Sequence, residues 1–308
     1  MSYFTFKNTG KNKPIAQIIG GERHGKIIFI DEEDEKEKNK KCCDKCHEGC
    51  GFTTLPCCKM CGGTCFDNES SSDDEEYAKI LGGDIKKLAK GQLPYIELNG
   101  EEKMIPIPLI HKEDEEARDN VYNFGPEGSG KSSWTAKFIK QYKAMYPKSK
   151  FYLFSGLDSD KVLDDLNPIR IKIDKKLVDK PMEISDFPIN SIVVFDDIDT
   201  ISDKNIKKEV LKIRDKLLEK GRHRSISVIS ITHNPTTGND TKLSLLESNS
   251  IVLYPRGGDT YHMDTVLKKY LGYDKKAIDK IKKLKSRWAQ CHKRYPKFVL
   301  HELGCFLI

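Results

Sequence analysis

The stretch that decides the fold is YNFGPEGSGKSSW, residues 122–134. It fits G-x-x-x-x-G-K-[ST] through Gly125, Gly130, Lys131 and Ser132. Glycines at that spacing let backbone N–H groups turn inward, and a helix opening at the lysine aims its positive end at the same point. The product is a cradle for phosphate, to which Gly128 and Ser133 also contribute. Lys131 is expected to reach the β- and γ-phosphates of a nucleotide, and the Ser132 hydroxyl to bind Mg²⁺. The flanks agree: VYNF before the loop reads as a strand and KSSWTAKFIKQYKAMY after it as a helix.

Outward from the loop, NVYNF, KFYLFS, SIVVFDD and SISVISITH are short apolar runs rich in β-branched and aromatic residues. Runs without polar alternation suit strands buried on both faces, as in a parallel sheet. Helical patterns lie between them, among them DKNIKKEVLKIRDKLLEK, so an α/β fold with helices on both faces of a mostly parallel sheet is predicted. SIVVFDDID places Asp196 at the carboxyl tip of its strand, where ligands of such sheets gather. Asp196 is the expected carboxylate partner of Mg²⁺, and Asp197 is placed to polarise a water against a γ-phosphate.

LLEKGRHRSISVISITHNP, residues 217–235, narrows the use of the nucleotide. A helix ends in a basic knot of Lys220, Arg222 and Arg224, and the strand that follows ends at Thr232, His233 and Asn234. A polar group there can sense a γ-phosphate, and an arginine at the strand's entry can reach a neighbour's nucleotide as a finger. A basic surface turn explains the arginines equally well.

The order of phosphate loop, VVFDD, and Gly221-Arg222 before an apolar strand and Thr232-His233-Asn234-Pro235 resembles the FtsK–HerA superfamily of DNA-pumping ATPases. Within it, the sequence looks most like the poxvirus-type genome-packaging ATPases of large DNA viruses, over roughly residues 118–308. The closing SRWAQCHKRYPKFVLHELGCFLI resembles the end of such proteins. The resemblance implies a RecA-like P-loop NTPase that hydrolyses ATP, assembles as a homo-oligomeric ring and moves double-stranded DNA. It makes Lys131, Ser132 and Asp196 the phosphate and metal residues, Asp197 the catalytic acid position, His233 the sensor and Arg222 the finger, with Arg224 and Arg214 as rivals. Asp197 stands where the family often has Glu, and His233 where its cellular members carry Gln.

Charge is uneven. From Thr260 to Ile308 there are twelve Lys and Arg against four Asp and Glu, whereas Cys42–Tyr77 carries two Lys against eight acids. The C-terminal surplus fits either a DNA-facing surface, which needs only phosphate contacts, or a solvated helix face. No run approaches the length of about 18 apolar residues of a membrane span, and MSYFTFKNTGKNKP lacks the apolar core of a signal peptide. A soluble, intracellular chain is expected; for a viral protein, that means the host cytoplasm (a virus factory) or the virion.

In such a compartment cysteines are thiols or metal ligands. Eight of the ten fall within Cys42–Cys65, where Cys42, Cys43, Cys46 and Cys50 recur as Cys57, Cys58, Cys61 and Cys65. Eight thiols suit two tetrahedral Zn²⁺ sites. Each repeat can hold one ion, or Cys43, Cys46, Cys58 and Cys61 can form one site and the outer four another. The acids around this block argue for a protein partner rather than DNA. The remaining thiols, Cys291 and Cys305, have apolar surroundings and read as core. The expected organisation is a β-hairpin and charged linker over 1–41, the Cys-rich insert over 42–66, an acidic linker with a short helix over 67–92, a second hairpin over 93–117 turning at Asn99-Gly100, and the ATPase domain over 118–308 with its basic C-terminal part. Two other functions fit the sequence less fully: a P-loop phosphotransferase or nucleotide switch, and a non-catalytic zinc-binding scaffold.

Overall fold

The computed structural model describes residues 2–32, 93–109, 118–236, 238–257 and 260–308. The cysteine block, the acidic segment after it and most of the charged run before it lie outside these residues. The chain opens with β1 (Ser2–Thr5), β2 (Lys13–Ile19) and β3 (Ile27–Glu32). β2 and β3 lie within the stretch 1–41 where a β-hairpin is expected and pair antiparallel, Gln17 opposite Ile27, while β1 adds to the far side of β3.

β4 (Tyr95–Glu97) and β5 (Lys103–Pro106) flank the expected turn, where Gly100 has φ 61°. They do not form the expected second hairpin. β5 pairs with β2 and closes a four-stranded sheet, whereas β4 pairs with the last strand of the chain in the larger sheet. A lone two-stranded hairpin is marginal in water, and each arm here instead covers the open edge of a wider sheet. Arg23 clamps the corner through Nε, 3.0 and 3.1 Å from the two carboxylate oxygens of Glu102.

From β6 (Val121–Phe124) the chain alternates as the sequence predicts: α1 (Lys131–Met145), β7 (Phe151–Ser155), α2 (Lys161–Asp164), β8 (Ile169–Ile171), α3 (Lys175–Asp179), β9 (Ile192–Asp196), α4 (Lys204–Lys220), β10 (Ser227–Thr232), α5 (Asn239–Glu247) and β11 (Ser250–Leu253). The basic stretch supplies α6 (Thr260–Lys269) and α7 (Lys275–Lys282), and the chain closes with β12 (Ala289–His292), β13 (Phe298–His301) and β14 (Gly304–Leu307). Among the described residues ten strands share one sheet, in the order β4-β14-β13-β12-β11-β6-β10-β9-β7-β8. β11 through β8 run parallel, and β12, β13, β14 and β4 extend them antiparallel.

β9 shows why its sequence has no polar face. Ile192 and Val194 pack with Trp134, Phe138, Ile139 and Tyr142 of α1, while Val193 and Phe195 pack with Val210, Ile213 and Leu217 of α4. Burying each of these side chains is worth roughly 1.5–3 kcal/mol. The small sheet lies on the α1 side, where Ile15, Ile18, Ile28, Ile30 and Met104 join the same cluster. Registry fixes the site: Ser155 lies opposite Asp196, Asp196 opposite Ile231, and Thr232 opposite Phe124, so three loops leave the sheet at one edge. Among the described residues no helix is long and apolar enough to cross a membrane.

Candidate nucleotide-binding site

At that edge the chain leaves β6 at Phe124 and turns through the glycine loop into α1. Gly125 N–H donates to Thr232 O at 3.3 Å, tying the loop to β10. A Cβ on Gly125 would sit 2.6 Å from the Tyr254 ring, so no other residue fits without displacing that ring. Gly130, which precedes the helix, has φ 106°, in the left-handed region that glycine adopts at no steric cost. Beneath the loop Tyr254 OH donates to Asn123 Oδ1 at 3.1 Å, and Asn123 Nδ2 donates to Lys131 O at 3.3 Å and Thr135 Oγ1 at 3.1 Å. These buried bonds fix the first turn of α1 from below.

Lys131 Nζ donates to Gly125 O at 2.9 Å and Pro126 O at 3.1 Å, and lies 3.2 Å from His233 Nδ1. An ammonium has only donors, so Nδ1 accepts and the His233 proton resides on Nε2. Nε2 in turn donates to Asp197 Oδ2 at 3.3 Å. A relay Lys131–His233–Asp197 therefore spans the edge from β6 through β10 to β9. Burial lowers the Lys131 pKa, opposed by the charges of Asp197, Asp196 and Glu127.

Asp196 ends β9 and is 2% exposed. Burial pushes its carboxyl up to about 7, and the neighbouring Asp197 and Asp160 add to the rise. Among the described residues its one hydrogen-bond donor is Ser155 Oγ at 3.3 Å. Asp197 follows in a left-handed conformation, φ 48°, which turns its side chain out of the strand direction toward His233. The turn is held by Thr200 Oγ1, which donates to Asp197 O at 2.7 Å, and it packs so closely that a Cβ on Gly156 would meet that carbonyl at 2.5 Å.

Ser132 Oγ donates to Asp160 Oδ2 at 2.8 Å. Asp160 also caps α2, accepting from Val162 N–H and Leu163 N–H. A buried carboxyl with acidic neighbours and a single hydroxyl donor is suited to a cation, so Asp196 and Ser132 fit Mg²⁺. Among the described residues no three His, Cys, Asp or Glu could hold an ion by themselves. Mg²⁺ takes one or two protein ligands and completes its shell with phosphates and water.

Gly125, Gly128, Gly130, Lys131, Ser132, Ser133, Asp196, Asp197 and His233 thus lie at one edge. Arg222 does not join them. It lies in the turn Gly221–Arg224 that enters β10, at the opposite edge of the sheet, beside a cavity of about 580 Å³ shared with Arg118 and Arg294. Of its rivals, Arg224 Nε donates to Phe187 O at 3.0 Å, and Arg214 is buried, bonded to Asp215 and to Asp240 O. Asp160, Ser155, Asn123 and Tyr254 escaped the sequence reading. Asn123 carried a signal, as a polar residue within an apolar strand, while Asp160 sits in a loop that no motif marks.

No protein-family model matches the chain. The uncharacterized protein V3 of Sputnik virophage is 34% identical over 247 residues, which span 76% of this chain and 96% of that protein. Among solved structures, the genome packaging NTPase B204 from Sulfolobus turreted icosahedral virus 2 aligns at 17% identity and a TM-score of 0.40, over 60% of this chain and 95% of that one. EssC (ATPases 2 and 3) from Geobacillus thermodenitrificans aligns at 13% identity and a TM-score of 0.38, over 70% and 44%. Identity at that level across nearly the whole of the virophage protein settles the kinship: the chain belongs to the family of Sputnik virophage protein V3.

Proposed function

We propose that this protein is an ATP-driven translocase of double-stranded DNA, acting as a homo-oligomeric ring and packaging a viral genome into its capsid. The observation that carries the reading is the convergence of Lys131, Ser132, Asp196, Asp197 and His233 at the carboxyl ends of β6, β9 and β10. The motif order resembling FtsK–HerA pumps supports the step from nucleotide to DNA.

In this reading the loop amides and Lys131 hold the phosphates, and Ser132 and Asp196 hold Mg²⁺, which neutralises charge on the phosphate oxygens. Asp197 orients a water. The water oxygen bonds to the γ-phosphorus as the bond to the bridging oxygen breaks, and its proton passes to Asp197, leaving ADP and phosphate. His233, already bonded to Asp197 and beside Lys131, senses the γ-phosphate. Arg222, far from its own protomer's loop, serves as the finger for a neighbour's nucleotide. The basic C-terminal part faces DNA.

Steady-state hydrolysis with and without long double-stranded DNA, beside Lys131→Ala, tests the reading. Stimulation by DNA that the substitution abolishes is the expected result; turnover indifferent to DNA, or absent, sinks the motor and favours a nucleotide switch or scaffold. The cysteine block is proposed as a module that binds two Zn²⁺ and docks a protein partner. Elemental analysis of the purified chain should then find two zinc ions per molecule, and finding none removes the module.

A further inference from the structure

Between α7 and β12 the chain passes Ser286 and Arg287. Ser286 is buried, donates from Oγ to Trp288 O at 2.6 Å and accepts from Glu302 N–H at 2.9 Å, so the backbone here is pinned to the β13–β14 turn. Arg287 N–H adds a contact to Glu302 Oε2 at 3.4 Å. From this fixed root the Arg287 side chain crosses the glycine loop. A Cβ placed on Gly130 would lie 3.5 Å from Arg287 Cδ and 3.9 Å from Tyr254 Cε1. Gly130 is the residue before Lys131 and caps α1, so the arginine stem lies over the helix end that the phosphate cradle uses.

The guanidinium beyond that stem is exposed and has no hydrogen-bonding or ionic partner among the described residues, unlike Arg118, Arg214 and Arg224. The neighbouring Tyr254 gives its hydroxyl proton to Asn123 and makes no hydrogen bond with the guanidinium. A cation anchored at its backbone, laid across a phosphate loop and bonded to no acceptor among the described residues is placed for charge-assisted donation to phosphate oxygens.

We propose that Arg287 binds the phosphate chain of the nucleotide in the same protomer, which makes the start of the antiparallel extension part of the nucleotide site. The proposal rests on the reading of this edge as a nucleotide site. It also gives the extension a direct response to nucleotide occupancy. Arg287 follows α7, and α7 packs against the turn Pro255–Gly257, whose Gly257 would bring a Cβ within 3.0 Å of Pro126 in the glycine loop. A pull on Arg287 and a shift of the loop are therefore both felt by α7.

The test is equilibrium binding of mant-labelled ADP and of a non-hydrolysable mant-labelled ATP analogue, with Mg²⁺, to the full chain, Arg287→Ala and Arg287→Lys. Arg287→Ala should weaken both nucleotides about tenfold, in line with a charge-assisted bond to phosphate. Arg287→Lys should restore most of the loss, because a point charge still serves phosphate. Melting without nucleotide should be unchanged in both variants, since the side chain bonds nothing else among the described residues. Binding of Arg287→Ala within twofold of the unmodified chain overturns the proposal while leaving the nucleotide site intact. A loss that lysine does not restore overturns it too, because it points to stacking on the base. If the unmodified chain binds neither nucleotide, the proposal and the nucleotide-site reading fall together.

Discussion

Buried beside Asp197 and Asp160, the Asp196 carboxyl ionises near pH 7 rather than at its ordinary 3.8. A raised carboxyl means that the folded chain holds this proton between those values while the unfolded chain has released it. Stability from this group is therefore greatest below about pH 4 and is lost as pH rises through 7. Asp196→Asn removes the charge and should stabilise the protein at pH 8 by roughly 2 kcal/mol, a few degrees in Tm, with the gain vanishing near pH 4. Mg²⁺-dependent hydrolysis should disappear in the same variant, a trade of stability against function expected of a functional carboxylate. Thermal melts at the two pH values and one hydrolysis assay check both halves. His233 belongs to the same scale. If its imidazole senses the γ-phosphate, His233→Gln should keep more turnover than His233→Ala, because only Gln still offers an acceptor to Lys131 and a donor to Asp197. Equal loss in both would reduce the relay to packing.

The strap beneath the loop is a property of elements: β6 contributes Asn123, the end of β11 contributes Tyr254, and α1 receives their bonds. Tyr254→Phe keeps the ring that walls Gly125 but strips the donor from Asn123 Oδ1. A buried acceptor left without its partner costs about 1–3 kcal/mol, which urea denaturation should register as a lower midpoint with an unchanged slope. Nucleotide affinity should fall less than it does in Lys131→Ala, because the strap positions the loop without touching phosphate. At this scale the sequence was most legible where pairing is dictated by burial on both faces. β6, β7, β9, β10 and β11 announce themselves as apolar runs, and the acids after Phe195 mark the strand end that matters. It was least legible where pairing is a choice among distant partners. Nothing local tells Tyr95–Glu97 to join β14 while Lys103–Pro106 joins β2. Asp160 was hidden for a similar reason: its meeting with Ser132 is made by the sheet, across 28 positions of sequence.

The whole molecule separates its chemistry from its charge. Nucleotide groups gather at the carboxyl edge of the parallel strands, and the basic surplus of the C-terminal part is carried largely by α6, α7 and the strands after them. On α7, Ile278 and Ile281 are buried while Lys275 and Lys276, and Lys283 just past its end, are exposed, so the helix shows the solvent a basic face. Lys280 differs from them, its ammonium lying 3.7 Å from the centre of the Phe306 ring, and is better left in place. If this face meets DNA, each lysine in contact releases counterions, and the slope of log affinity against log salt falls by about 0.9 per contact removed. The triple variant Lys275→Ala, Lys276→Ala, Lys283→Ala should therefore lower that slope by roughly two to three per protomer bound, equally for unrelated DNA sequences. Hydrolysis without DNA should be unaffected, since none of the three reaches the loop, while stimulation by DNA should weaken. An unchanged slope would place the DNA path elsewhere on the molecule. It would also leave the packing of α7 on the Pro255–Gly257 turn, beside the glycine loop, as a structural contact only.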